Sequence, residues 1–114
     1  MKTVIICNSI GKLDNGKKLI LFPSRWTAGV ESPSRPFTFY PYELAYLSSL
    51  LKRELDVSEY RIKMLDPNLL GLNKKETIAY INSYAPNYLI MEPSAIDSKE
   101  IFEIFSSVKK TNNT

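Results

Sequence analysis

Three short polar clusters follow the most apolar runs of this chain: Asn8-Ser9, Asp66-Pro67-Asn68 and Glu92-Pro93-Ser94. Their amides, hydroxyls and carboxylates can hold a ligand by hydrogen bonds. Asp66 and Glu92 could in principle pair as an acid and a base, but they follow different runs and no spacing joins them. Arg25-Trp26 adds a cation and an aromatic surface, with Phe37, Phe39, Tyr40 and Pro41 further along. Taken together, these groups suit a polar, planar ligand bearing amide or phosphate groups. The same residue types also make turns and helix caps, so both readings stand at this point. No nucleophile, base and orienting group accompany them, and no catalytic residue or metal ligand is assigned.

What is missing removes whole classes of mechanism. The chain has 114 residues and no histidine, which excludes a serine–histidine triad and histidine-ligated zinc within it. Its single cysteine, Cys7, lies inside an apolar run and reads as a small buried hydrophobe, so neither a disulfide framework nor a cysteine cluster site is expected. No GxGxxG or GxxxxGK[ST] phosphate loop follows the first run. Asn8-Ser9 and Glu92-Pro93 also lack the acidic pair and aspartate of a phospho-receiver. Fifteen basic against twelve acidic residues leave a net charge of +3. The basic pairs Lys17-Lys18, Lys52-Arg53, Lys74-Lys75 and Lys109-Lys110 are scattered, as on a solvated surface, and predict no nucleic-acid partner. No apolar run is long enough to span a membrane and the N-terminus lacks signal-peptide character, so no membrane partner and a cytoplasmic location are expected.

The polar clusters must be positioned by the elements around them. Met1–Cys7 is β-branched and continuously apolar, the pattern of a strand buried on both faces. From about 10 to 39 the chain reads as one long loop, broken by Asn15-Gly16, Pro23, Gly29, Pro33 and Pro36, with a short extra strand possible over Lys18–Phe22. Pro41 suits the first position of a helix whose apolar stripe is Leu44, Leu47, Leu51 and Leu55, widened by Ala45 and Leu50. Tyr60–Leu65 alternates apolar with basic residues, as a half-exposed edge strand does. Asn73 and Glu76 have capping-box spacing before a second helix with Ile78, Ile81 and Ala85 on one face, stopped by Pro86. Tyr88–Met91 reads as a buried third strand. Asp97 and Glu100 open a last helix lined by Ile101, Ile104, Phe105 and Val108, with Lys109-Lys110 at its negative end.

This alternation predicts a single α/β domain over 1–114: a three-layer, Rossmann-like (flavodoxin-like) parallel sheet with strand order 2-1-3. In that order the apolar third strand would be an edge, although its composition suits an interior position. The sheet is therefore expected to be incomplete, with further strands supplied by a missing part of the chain or by another subunit. Ligands of open parallel sheets sit at the carboxyl ends of the strands, where the three polar clusters fall.

Tyr40-Pro41-Tyr42-Glu43-Leu44-Ala45-Tyr46-Leu47, then Lys63-Met64-Leu65-Asp66-Pro67-Asn68, then Gly71-Leu72 before a helix, carry a resemblance. Over Met1–Met91 the chain resembles the N-terminal cobalamin-binding domain of cobalamin-dependent radical S-adenosylmethionine enzymes. Ala85–Ile90 is similar to that family's third strand, and Asn8 to the asparagine that ends its first. Tyr42-Glu43 depart from the family's helix start, and Ser9-Ile10 replace two prolines. The CxxxCxxC cluster motif and the later strands are absent, and without histidine the mode in which histidine ligates cobalt from below is excluded.

The resemblance implies a corrinoid cofactor, cobalamin, held by Asn8, Ser9, Arg25, Trp26, Tyr40, Pro41, Asp66, Asn68, Glu92 and Ser94. It implies a cobalamin-binding module, not catalytic alone. The iron–sulfur cluster and S-adenosylmethionine would belong to a radical domain in cis or in trans. The alternative is a stand-alone flavodoxin-like small-ligand or protein-interaction domain, able to form an oligomer through its third strand or last helix. A phosphate-ligand enzyme using Arg25 is a third reading.

Overall fold

The computed structural model describes residues 1–21, 29–32, 40–94 and 96–114. In chain order its elements are β1 (Lys2–Cys7), β2 (Lys18–Leu21), β3 (Gly29–Ser32), α1 (Tyr42–Glu54), β4 (Tyr60–Leu65), α2 (Pro67–Leu70), α3 (Lys74–Asn82), β5 (Tyr88–Met91) and α4 (Ser98–Thr111). Three strands form a parallel sheet in the order β4-β1-β5. Val4 faces Ile62 on one side and Tyr88 on the other, while Cys7 faces Leu65 and Met91. This is an α/β architecture compatible with a Rossmann-like fold.

β1 is central, and every residue after Lys2 in it is buried. Side chains alternate across a strand. Ile5 and Cys7 accordingly join Leu65, Ile81, Met91, Ile101, Ile104 and Val108 in one core beneath α3 and α4. The opposite face, with Val4 and Ile6, is covered by α1, which packs against β4 and β1. α4 is the best-anchored helix, since Ile101, Ile104 and Val108 are all fully buried. Each contributes about 1.5–3 kcal/mol of hydrophobic stabilisation.

Five expectations change in the fold. The long loop contains an antiparallel hairpin, β2 with β3, separate from the main sheet. Leu19 is fully buried in the core with Ile10 and Leu13, so this segment is an integral layer of the domain. Asp66-Pro67-Asn68 is more than a strand end, because it starts α2. There Asp66 caps the amide of Leu69, Pro67 occupies the first turn, and Gly71 closes the helix at φ 71°.

α1 begins one residue later than expected, with Pro41 as its N-cap, and its buried positions are Leu44 and Ser48. Leu47 and Leu50 are only half-buried. Finally, β5 is less buried than its apolar run suggested: among the described residues it lies at an edge of the sheet, Tyr88 is 47% exposed, and only Met91 of the strand is buried.

The capping box of α3 forms as read. Asn73 accepts from the Glu76 amide at 2.8 Å, and Glu76 accepts from the Asn73 amide at 3.1 Å. At α4 the matching expectation fails, because Asp97 makes no side-chain bond to the helix amides. That carboxylate is turned toward Ser94 instead.

Candidate functional site

Because β4, β1 and β5 are parallel, the three polar clusters lie along one edge of the sheet. The Asn8 amide donates to the Leu65 carbonyl at 3.0 Å, continuing the ladder one residue beyond β1. Its side-chain Nδ2 donates to Asp66 Oδ1 at 3.0 Å, and its Oδ1 accepts from the Ser9 amide at 2.9 Å. Asn8 thus ties the end of β1 to the start of α2. Asp66 Oδ1 also accepts from the Leu69 amide at 3.0 Å, so this oxygen is a cap as well as a partner of Asn8.

Asn68 is fully engaged inside the protein. Its Nδ2 donates to the Ile10 and Leu19 carbonyls, both at 3.0 Å, with the residue only 2% exposed. It clamps the exit of β1, the hairpin and α2 together. Gly11 makes the same junction close: its amide donates to Leu72 at 2.7 Å, and a Cβ built on it would lie 2.6 Å from the Gly71 Cα.

On the other side of β1, Ser94 donates to Asp97 Oδ1 through its amide at 2.6 Å and through its hydroxyl at 2.7 Å. Asp97 is fully buried, and its second oxygen, Oδ2, has no hydrogen-bond partner among the described residues. Ser9 Oγ, also buried, has none either; a third such atom, Thr77 Oγ1, belongs to α3 and not to this edge. A buried polar atom without a partner costs about 1–3 kcal/mol, which makes each such oxygen a place to look for a ligand.

The positions of these two oxygens follow from the winding. The chain crosses from β1 to β4 on one side and then returns past β1 to β5 on the other. The crevice opened by such a reversal lies between the carboxyl ends of β1 and β5. Ser9 follows β1 directly, whereas Asp97 is the N-cap residue of α4, the helix that follows β5; each holds one buried oxygen without a partner among the described residues.

Of the residues expected at the site, Asn8 and Asp66 are brought into contact, Ser9 and Ser94 stand on the flanking strand ends, and Glu92 is half-buried at the end of β5. Pro41 is buried, and the exposed ring of Tyr40 packs edge-on against Tyr42 with centroids 5.2 Å apart. Arg25 and Trp26 lie outside the described residues. Asn68 binds backbone carbonyls of its own chain 58 and 49 residues away, a role that is neither a local turn nor a cap. Asp97 was missed, because an aspartate three residues before a glutamate at a helix start reads as a cap. Ser94-x-x-Asp97 could have signalled the alternative, since the serine's two donors compete for the carboxylate.

The described residues contain no cluster of three or more histidine, cysteine, aspartate or glutamate side chains able to hold a metal ion, and no helix long and apolar enough to cross a membrane. The chemistry on offer at this edge is recognition by hydrogen bonds. No family model, no curated protein and no solved structure matches this chain.

Proposed function

We propose that this chain is a cofactor-binding module, flavodoxin-like in its winding, whose ligand is a corrinoid seated across the carboxyl ends of β1 and β5. The observation that carries the reading is the pair of buried oxygens without a partner among the described residues, Ser9 Oγ just after β1 and Asp97 Oδ2 at the start of α4, the helix that follows β5. A corrinoid is a flat macrocycle rimmed with amides. Its amide N–H groups would donate to Asp97 Oδ2, and Ser9 Oγ would give or take a further hydrogen bond. Asn8, Asp66, Glu92 and Ser94 belong to the same edge, while Arg25, Trp26, Tyr40 and Pro41 come to the site from the resemblance.

With no histidine in the chain, no protein imidazole meets the cobalt, which suits a histidine-free mode of binding. When bound, the corrinoid would supply a transferable methyl group. This chain's own residues hold and orient the macrocycle. Radical chemistry would come from a domain bearing the iron–sulfur cluster and S-adenosylmethionine, joined in cis or docked in trans. An incomplete sheet and a cytoplasmic location go with this reading.

The test is to mix the purified chain with hydroxocobalamin and pass it through a gel-filtration column. Corrinoid absorbance should travel with the protein, and Asp97→Asn should reduce it while leaving the fold intact, since Oδ1 still accepts from Ser94. A colourless protein peak would sink the proposal.

A further inference from the structure

The two edges of the main sheet are built differently. β4 carries Arg61 and Lys63, and basic side chains on an edge discourage a further strand. The other edge, β5, reads Tyr88-Leu89-Ile90-Met91 with no charge. Beside it runs a groove of about 660 Å³ lined by Leu51 and Leu55 of α1, by Leu89 and Ile90, and by Phe105 and Lys109 of α4. Apolar walls thus rise on both faces of the open edge.

The strand's free groups can be placed. The Asn87 amide donates to the Thr3 carbonyl of β1 at 2.9 Å. The Lys2 and Asn8 amides bond toward β4, so Thr3, Ile5 and Cys7 turn their backbone groups toward β5. Ile5 lies opposite Leu89, and in a parallel ladder it bonds to the residues on either side of that partner, Tyr88 and Ile90. Leu89 and Met91 therefore turn their backbone groups away from β1. Among the described residues no strand pairs with that side. The occupant that fits is a short extended segment, apolar on both faces, able to pair with the outward backbone groups of β5 at Leu89. β5 itself has that composition.

We propose that β5 pairs antiparallel with β5 of a second copy of this chain, joining two sheets into one about a two-fold axis. Outward-facing residues must meet outward-facing residues, so the axis falls at Leu89, which lies opposite Leu89 of the partner subunit, with Tyr88 opposite the partner's Ile90. The Leu89 pair exchanges both backbone hydrogen bonds, and the two bonds are equivalent in an isologous contact. The two Leu89 side chains meet beneath Phe105 of both copies, while Tyr88 and Ile90 lie on the face of Leu51 and Leu55.

Charge supports the antiparallel sense. Lys109 lines the groove beside Asn87, at the amino end of β5, whereas Glu92 follows its carboxyl end. Reversing one strand against the other brings Lys109 of each copy toward Glu92 of the partner subunit. A parallel arrangement would set like charge against like. This pairing is independent of what the carboxyl edge binds.

Sedimentation velocity on the wild-type chain, in a series up to about 100 µM, should show a species of twice the 13.0 kDa chain mass. Tyr88→Lys should weaken it by about tenfold or more, because an ammonium would be desolvated in the seam. Leu89→Cys should give a reducible covalent dimer on mild oxidation, while Ile62→Cys on β4 should not. Where a variant folds poorly by circular dichroism, hydrogen exchange on the wild type decides: the Leu89 amide should be protected at high concentration and lose that protection on dilution. A monomer throughout the series overturns the proposal. So does a dimer that Tyr88→Lys leaves intact, one without the Leu89→Cys cross-link, or one in which the Leu89 amide exchanges freely.

Discussion

Replacing Asn68 tests whether the polar residues at the sheet edge serve the fold or the ligand. Its Nδ2 gives one hydrogen to the Ile10 carbonyl and the other to the Leu19 carbonyl, in a site 2% exposed. Asn68→Leu removes both donors and leaves two buried carbonyls facing an apolar side chain. At about 1–3 kcal/mol for each stranded group, the loss should be roughly 2–5 kcal/mol. Against a typical stability of about 5–15 kcal/mol, that is a large fraction.

Asn68→Asp is nearly isosteric, so it isolates the donor. It aims a carboxylate oxygen at two carbonyl oxygens and should cost at least as much at neutral pH. The pH dependence gives the second check. Burial beside acceptors raises the new carboxyl's folded pKa above its unfolded value, so the folded state is penalised above that range and relieved as pH falls and the group protonates. Urea denaturation followed by circular dichroism, at pH about 7 and about 4, should therefore show the Asp variant recovering relative to wild type in acid while the Leu variant does not. A neutral-pH loss below about 0.5 kcal/mol for Asn68→Asp would refute the clamp, since surface substitutions fall in that range.

Three further predictions concern packing, backbone strain and charge. Gly11→Ala places a Cβ 2.6 Å from the Gly71 Cα and 2.9 Å from both the Pro67 and Asn68 carbonyl oxygens, backbone atoms that cannot swing aside. The loss should be about 1–3 kcal/mol by thermal melting. Gly16→Ala, with open space around it but φ of +81°, should cost only about 1–2 kcal/mol of left-handed strain. Lys74 bonds directly to Glu103, which holds the Glu103 carboxyl below the usual glutamate range and raises the Lys74 ammonium above the usual lysine value. The carboxylate's share of stability is present above its unfolded value and lost as pH falls through the depressed folded one. The ammonium's share is present below its unfolded value and lost as pH rises through the raised folded one. Glu103→Gln should flatten both limbs of a melting temperature–pH curve relative to wild type.

The elements with strong local signals were readable from residue order. β1 is a β-branched apolar run, α3 has its capping box, and α4 has its apolar stripe, all within short windows where neighbouring residues decide the conformation. Of the hairpin, β2 was readable as a possible short strand over Lys18–Phe22, but β3 and the pairing were not, because the strands are four residues each and the hairpin is anchored by contacts far along the chain, through Asn68 to Leu19. α2 hid in plain residues: Asp66, Pro67 and Gly71 are a cap, a first-turn proline and a left-handed stop, but a four-residue helix leaves no periodicity to find.

For the candidate site the division is sharper. Residue types alone gathered Asn8, Ser9, Asp66, Asn68, Glu92 and Ser94 at strand ends, because polar residues that follow apolar runs must sit where a parallel sheet stops. Which of them keeps a free hydrogen-bonding atom was beyond any reading of order. That depends on partners brought from 49 and 58 residues away for Asn68, and on whether Asp97 turns to its helix or to Ser94. Sequence determined the alternation of strands and helices and the polarity of the sheet's edge. Only the tertiary structure decided how far β5 is exposed, that Asn68 is a clamp, and that Ser9 Oγ and Asp97 Oδ2 are the oxygens near this edge without a partner among the described residues, because hydrogen-bond satisfaction belongs to the packed whole.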